Sequence, residues 1–101
     1  MTLFEYNTPL EPPGELDGAQ VQLWAYDPLK PFFIMEYSDG RPGKPIHGFA
    51  ICQYKGEKKF YKFSCDSEWN VENDLDCDSV DEAMSAAQDM TAEAITWIKK
   101  I

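Results

Sequence analysis

Four short segments with the alternation of a β-strand precede a single segment with helical spacing, and this order limits the architectures open to the chain. Glycines, prolines and acidic residues separate the segments, so each break is predicted to be a turn or loop. The predicted strands cover residues 21–26, 32–37, 46–54 and 59–65. The order predicts an α+β fold: a four- to five-stranded antiparallel sheet with one C-terminal helix packed on a face.

The helix has a clear start. Ser79 followed by Glu82 matches a capping box, in which each residue satisfies a backbone N–H of the first turn. Apolar residues then keep helical spacing, which predicts a helix over residues 80–90. Residues 94–101 continue that spacing and favour a helix, but the stretch 95–98 is rich in β-prone side chains. A closing strand is therefore the alternative for this last segment.

The clearest hairpin joins the third and fourth predicted strands through Lys55–Lys58, where Gly56 can take the positive φ that such turns require. On the fourth strand one alternating set is assigned to the core: Tyr61, Phe63 and Cys65. A short fifth strand is expected over residues 69–72.

The chain is long enough for one domain. Its 101 residues are 44% hydrophobic and 14% aromatic, which is too apolar for a disordered chain. Residues 1–19 carry three prolines and two glycines after Thr8 without any strand or helix period, so they predict an irregular N-terminal arm. Residues 20–101 are predicted to form the single α+β domain.

The three cysteines are odd in number and widely spaced, unlike a secreted disulfide framework. The first residues show no signal peptide, and no apolar run approaches the ~20 residues of a membrane span. We expect a reduced, cytoplasmic protein that does not insert into a membrane.

The net charge of −9 is concentrated in one segment. Residues 66–82 hold eight acidic residues and no lysine or arginine, whereas the rest of the chain holds ten acids and nine bases. The neighbouring residues 55–62 hold four lysines and one glutamate. This balance disfavours direct binding of nucleic acid, which requires clustered basic residues.

Three interpretations of the acidic segment are open. It can be solvated surface that favours a helix N-terminus and solubility alone. Asp74, Asp76 and Asp78 have the spacing that begins a calcium loop, but Ser79 and Ser85 stand where that loop needs glycine and glutamate. The interpretation that we favour is a surface that docks a basic protein, as small inhibitors and immunity-type proteins do. Its predicted contact residues are Asp66, Glu68, Trp69, Glu72, Asp74, Asp76 and Asp78, with Trp69 as the anchor buried by the partner.

The remaining patterns favour a non-enzymatic protein over an enzyme. His47 and the cysteines lack the close pairing of a zinc site, and no phosphate-binding, dinucleotide-binding or hydrolase motif occurs, so we predict no metal or cofactor. The alternative function is a ligand-binding domain or enzyme with an aromatic pocket formed by Trp24, Tyr26 and Tyr37. If Phe60 and Trp24 both face away from the helix, their apolar patch would favour a homodimer or a protein partner.

Overall fold

The computed structural model describes residues 11–101, which form an α+β fold of β-strands with a single helix. The part of the predicted arm that covers residues 1–10 lies outside the described residues. The elements in chain order are β1 (Glu15–Leu16), β2 (Ala19–Tyr26), β3 (Phe33–Met35), β4 (Lys44–Ile46), β5 (Gly48–Gln53), β6 (Phe60–Cys65), β7 (Val71–Cys77), α1 (Val80–Gln88) and β8 (Ile98–Lys99).

The main sheet is antiparallel and curled, with the strand order β1-β2-β5-β6-β7, and β8 also pairs with β2. The strands β3 and β4 form a separate two-stranded hairpin. The predicted α+β class and antiparallel pairing are confirmed. The main sheet holds six strands, more than the four to five predicted, because residues 15–16 and 98–99 form short strands that pair with β2. The predicted strand over residues 32–37 is not one of them, since only Phe33–Met35 is a strand and it pairs with β4 outside the main sheet. The predicted arm is not irregular throughout, because residues 15–16 form β1 and Ala19 begins β2.

The third predicted strand, over residues 46–54, is divided in two at His47. Its first part belongs to β4 and pairs with β3, while its second part is β5 in the main sheet. The hairpin between β5 and β6 is confirmed, and Gly56 has a φ of 84° in its turn.

A bulge in β2 separates side chains that strict alternation would keep together. Val21 pairs with Cys52 and Leu23 with Ile51, so one extra residue of β2 lies between the two pairs. As a result Val21 and Trp24 join one side of the sheet, whereas Leu23 packs on the other. The bulge lets β2 supply apolar side chains to both faces.

Both faces of the sheet are buried. On one side Phe63 and Cys65 are fully buried and Tyr61 is half-buried, as the alternation on β6 predicts. The opposite side carries α1, whose Ala83 packs with Ile51. The alternate residues of β6 are buried on this side too, and they include the polar Lys62 and Ser64.

The helix starts as predicted but ends early, and the chain closes with a strand. Ser79 caps α1, which runs to Gln88. The side-chain amide of Gln88 then donates to the carbonyl of Glu93 at 2.7 Å and accepts from the amide of Ile95, which turns the chain back. The preference for a helix over residues 94–101 was therefore wrong, and β8 pairs with β2 instead. In residues 95–99, the β-prone side chains and the available edge of β2 outweigh the helical spacing of the apolar residues.

Removing the helix cap has a defined cost. The hydroxyl of Ser79 accepts the backbone N–H of Glu82 at 3.0 Å, so Ser79→Ala leaves that donor unsatisfied. We expect the free energy of unfolding to fall by about 1 kcal/mol, measured by urea denaturation. Ser79→Asn, which can still accept the bond, should stay close to the wild type, and an equal loss in both variants would contradict this role.

The fifth strand is longer than predicted and lies further along the chain. Residues 66–70 form a turn, and Trp69 within it has a φ of 65°. The strand β7 begins only at Val71 and pairs with the whole of β6. In the part of the chain that the structure describes, no helix has the length and apolar character that crossing a membrane requires.

Candidate functional site

The acidic segment begins with a turn that Asp66 holds together. One carboxylate oxygen accepts the backbone N–H groups of Glu68 and Asn70 at 2.9 Å each, and the other accepts the side-chain amide of Asn70 at 3.0 Å. Burial acts to raise the pKa of Asp66, but these hydrogen bonds and the nearby Lys44 outweigh it and hold the pKa below its usual value. Asp66 therefore has a structural task within its own chain.

The turn carries Trp69 into the interior. Its side chain is 5% exposed, stacks on Tyr26 with ring centroids 5.4 Å apart, and meets Trp24 edge-on at 6.2 Å. The ring also covers Gly48, where an added Cβ would lie 2.8 Å from the indole. The indole belongs to the core of this protein, so Trp69 is not an exposed contact residue.

Glu72 joins the β3–β4 hairpin to the main sheet. Its carboxylate accepts the hydroxyl of Tyr37 at 3.0 Å and lies 3.6 Å from the ammonium of Lys44. Burial, with the hydrogen bond to Glu72, raises the pKa of Tyr37. The guanidinium of Arg41 lies over the Tyr37 ring, 4.1 Å from its centroid. The half-buried Glu72 is thus largely engaged within the fold.

The other predicted carboxylates lie at the surface. Glu68 is exposed in the turn before β7, Asp74 and Asp76 are exposed on β7, and Asp78 follows the strand. Lys59 lies 2.9 Å from Asp78 and 3.6 Å from Asp76. The hydrogen bond to Asp78 is the main cause of the raised pKa of Lys59. We call the exposed set the acidic edge: Glu68, Asp74, Asp76, Asp78, Asp81 and Glu82.

The separation of charges along the sequence is only partly kept in space. Because β6 pairs with β7, one lysine of the basic segment 55–62 lies beside the acids, and another, Lys62, is buried. Lys44 and Lys59 are the described cations in ion pairs with residues 66–82. Eight carboxylates and these two lysines leave a local charge of −6.

The placement of the carboxylates and cysteines does not favour a metal site or a nucleophilic thiol. Asp74 and Asp76 lie on an extended strand, not in the tight loop that calcium requires. Residues 11–101 contain no group of three or more side chains placed to hold a metal ion. Cys52 and Cys65 are fully buried, and burial raises the pKa of the Cys52 thiol to about 12, so that thiol is a poor nucleophile.

The three aromatic residues of the alternative pocket do not line one cavity. Trp24 and Tyr26 pack on the core indole, and the Tyr26 hydroxyl donates to the carbonyl of Ser67 at 2.8 Å. Tyr37 lines a separate groove of about 500 Å³. The other residues of this groove are Phe33, Ile34, Met35, Glu36, Ser38, Glu72, Asn73 and Met90.

The apolar patch that would favour a homodimer is not formed by the residues expected for it. Phe60 packs with the helix residues Val80 and Met84, and Trp24 is only 8% exposed on the opposite side of the sheet. Neither ring offers a large exposed surface.

Comparison of the chain with protein-family models, with curated proteins and with solved structures gives no match. The functional argument therefore depends on the residues and their placement.

Proposed function

We propose that this protein is a non-enzymatic binding module, of the inhibitor or immunity type, that docks a basic protein through the acidic edge. The observation that carries the proposal is the exposure of several carboxylates along one strand and its flanks with few cations to neutralise them. Such a surface attracts a basic partner over a distance and speeds its association.

The arrangement of the carboxylates supports contact better than solubility alone. The strand β7 has seven residues, a length of about 20 Å, with Glu68 before its first residue and Asp78 after its last. Pairing with β6 fixes the backbone of β7, so Asp74 and Asp76 project from fixed positions on one face of the strand. Among the described residues, Asp74 has no ion-pair partner, and a lysine or arginine of a partner could provide one.

The second candidate function is the binding of a small ligand in the groove beside Tyr37. Its walls combine apolar side chains with the carboxylates of Glu36 and Glu72, which suits a small cationic compound. It lies next to the start of β7, so a protein docked on the acidic edge could also fill it.

Charge reversal tests the proposal. We expect the variant with Asp74→Lys, Asp76→Lys and Asp78→Lys to associate with the basic partner at least tenfold more slowly, because the attracting field is reversed. The partner is first captured with the wild-type protein at low salt and identified by mass spectrometry. Its association is then measured by surface plasmon resonance at low and high salt.

A matched variant separates a local surface from net charge. Asp39, Glu57 and Asp89 are exposed carboxylates outside residues 66–82, and their replacement by lysine changes the total charge by the same amount. This control should keep most of the association rate. Equal losses in both triple variants, or no loss in either, would overturn the proposal.

A further inference from the structure

The strand β7 forms one side of the main sheet and has a free outer edge. It pairs with β6 on its inner side, and within residues 11–101 no strand pairs with its outer side. The run from Asn73 to Asp76 is exposed along its whole length. An edge strand directs alternate backbone N–H and C=O groups away from the sheet, where another strand can bind them.

The two faces of this edge have different chemistry. Directly paired residues point to the same face, so Asp74 and Asp76 share the side of Phe63 and Tyr61. Leu75 lies on the opposite side with Lys62 and is 46% exposed. A strand laid against β7 would therefore meet carboxylates on one face and apolar surface on the other.

The apolar side continues into the groove described above. Asn73 of β7 lines that groove together with Ile34 and Met90, which are 46% and 41% exposed. These two side chains are among the large hydrophobic residues that the fold leaves in solvent. The groove has room for one or two apolar side chains of an added strand.

A second copy of this protein is a poor occupant of the edge. Antiparallel pairing of β7 with itself, centred on Asp74, would place Asp74 opposite Asp74 and Glu72 opposite Asp76. Like charges directly opposite each other destabilise a pair of strands. Centring the pair on Leu75 instead would place Asp74 opposite Asp76, so carboxylates of the two copies would still face each other. Pairing between two copies of β7 is therefore unfavourable, whereas pairing with a strand that carries basic side chains is favourable.

We propose that the basic partner adds a β-strand to the outer edge of β7. Lysines or arginines at alternate positions face Asp74 and Asp76, and an apolar side chain between them packs on Leu75. The apolar side chain that lies opposite Asn73 enters the groove beside Met90. Main-chain hydrogen bonds supply affinity, and the alternating side chains supply specificity. This inference rests on the proposed function and specifies the binding mode.

A synthetic peptide tests the mode directly. The probe is a ten-residue peptide, blocked at both ends, in which lysine alternates with valine. It is compared with a block peptide of five lysines followed by five valines, and with two N-methylated versions, one methylated on every lysine and the other on every valine. N-methylation keeps side chains and charge but removes the backbone donors on one edge of the peptide.

We expect the alternating peptide to bind at least tenfold more tightly than the block peptide, measured by calorimetry at low salt. At least one N-methylated version should bind at least tenfold more weakly than the unmethylated alternating peptide. In amide hydrogen exchange, alternate amides of β7 should gain protection when the alternating peptide binds, and the variant with Asp74→Lys and Asp76→Lys should lose binding.

The outcomes separate the two proposals. Equal affinity of all four peptides, or unchanged exchange of the β7 amides, would overturn strand addition while charge-driven docking stands. The same holds if the peptide fails to bind but charge reversal still slows the natural partner. If charge reversal affects neither the peptide nor the partner, the proposed function is overturned as well.

Discussion

Replacing Trp69 with alanine is expected to lower the free energy of unfolding by about 3 to 5 kcal/mol. The indole is 5% exposed and packs on Tyr26 and Trp24, so its removal leaves a large cavity in the core of the sheet. The surrounding strands are held by their own pairing and can collapse into that space only in part. The loss is measured by guanidinium denaturation followed by far-UV circular dichroism.

Two further variants define the cause. Trp69→Phe keeps one aromatic ring over Gly48, so its free energy of unfolding should fall clearly less than that of Trp69→Ala. Leu29→Ala changes a side chain that is 93% exposed and should leave the free energy of unfolding unchanged. A loss below 1 kcal/mol for Trp69→Ala, together with weaker partner binding, would instead support the anchor role that the sequence suggests for Trp69.

Replacing Lys62 with methionine is expected to raise the free energy of unfolding by about 1 to 3 kcal/mol. The side chain is only 3% exposed, on the sheet face that carries α1. Its ammonium donates a hydrogen bond to the hydroxyl of Ser64 at 3.4 Å and lies 5.9 Å from the centroid of the Phe49 ring. Among residues 11–101, no carboxylate lies within ion-pair distance of it, so methionine of similar length removes a buried charge that has no carboxylate partner.

The effect depends on pH in a fixed direction. Burial lowers the pKa of Lys62 from its usual value of 10.5, so the unfolded chain holds this proton more tightly than the folded protein. The contribution of Lys62 to stability is complete above pH 10.5 and is lost as the pH falls through the folded pKa. The advantage of Lys62→Met should therefore be largest at neutral pH and shrink as the pH rises.

An exposed lysine provides the control. Lys59 is half exposed and lies beside two carboxylates, so Lys59→Met should not raise stability. A decrease of more than 1 kcal/mol on Lys62→Met, or a gain that does not vary with pH, would contradict the interpretation of an unfavourably buried charge.

Local patterns predict the fold class and several elements. The capping residues Ser79 and Glu82 place the helix start, and Gly56 marks the turn between β5 and β6. Such features act through neighbouring residues and can be recognised in a sequence. The strand count and the chain ending depend on distant pairing: residues 98–99 become a strand because β2, more than 70 residues earlier, offers an edge.

The site shows the same division. Composition places the negative charge in residues 66–82, but it could not predict that Trp69 turns inward or that Glu72 holds the hairpin. Both depend on side chains far along the chain, such as Tyr26 and Tyr37. The strand β7 had a signal: Val71, Leu75 and Cys77 occupy odd positions and carboxylates the even ones. The low β-propensity of aspartate hid that alternation.

The pairing of β2 with β8 affects how this chain can fold during synthesis. Leu23 and Trp24 pair with Lys99 and Ile98, so the main sheet is incomplete until the residues up to 99 have left the ribosome. At typical elongation rates of roughly 5 to 20 residues per second, that edge of β2 stays unpaired for several seconds while the chain up to residue 99 is synthesised. During this interval a nascent chain could bind a chaperone or a neighbouring chain through β2. With this topology, that edge of β2 stays unpaired until a strand more than 70 residues downstream has been synthesised.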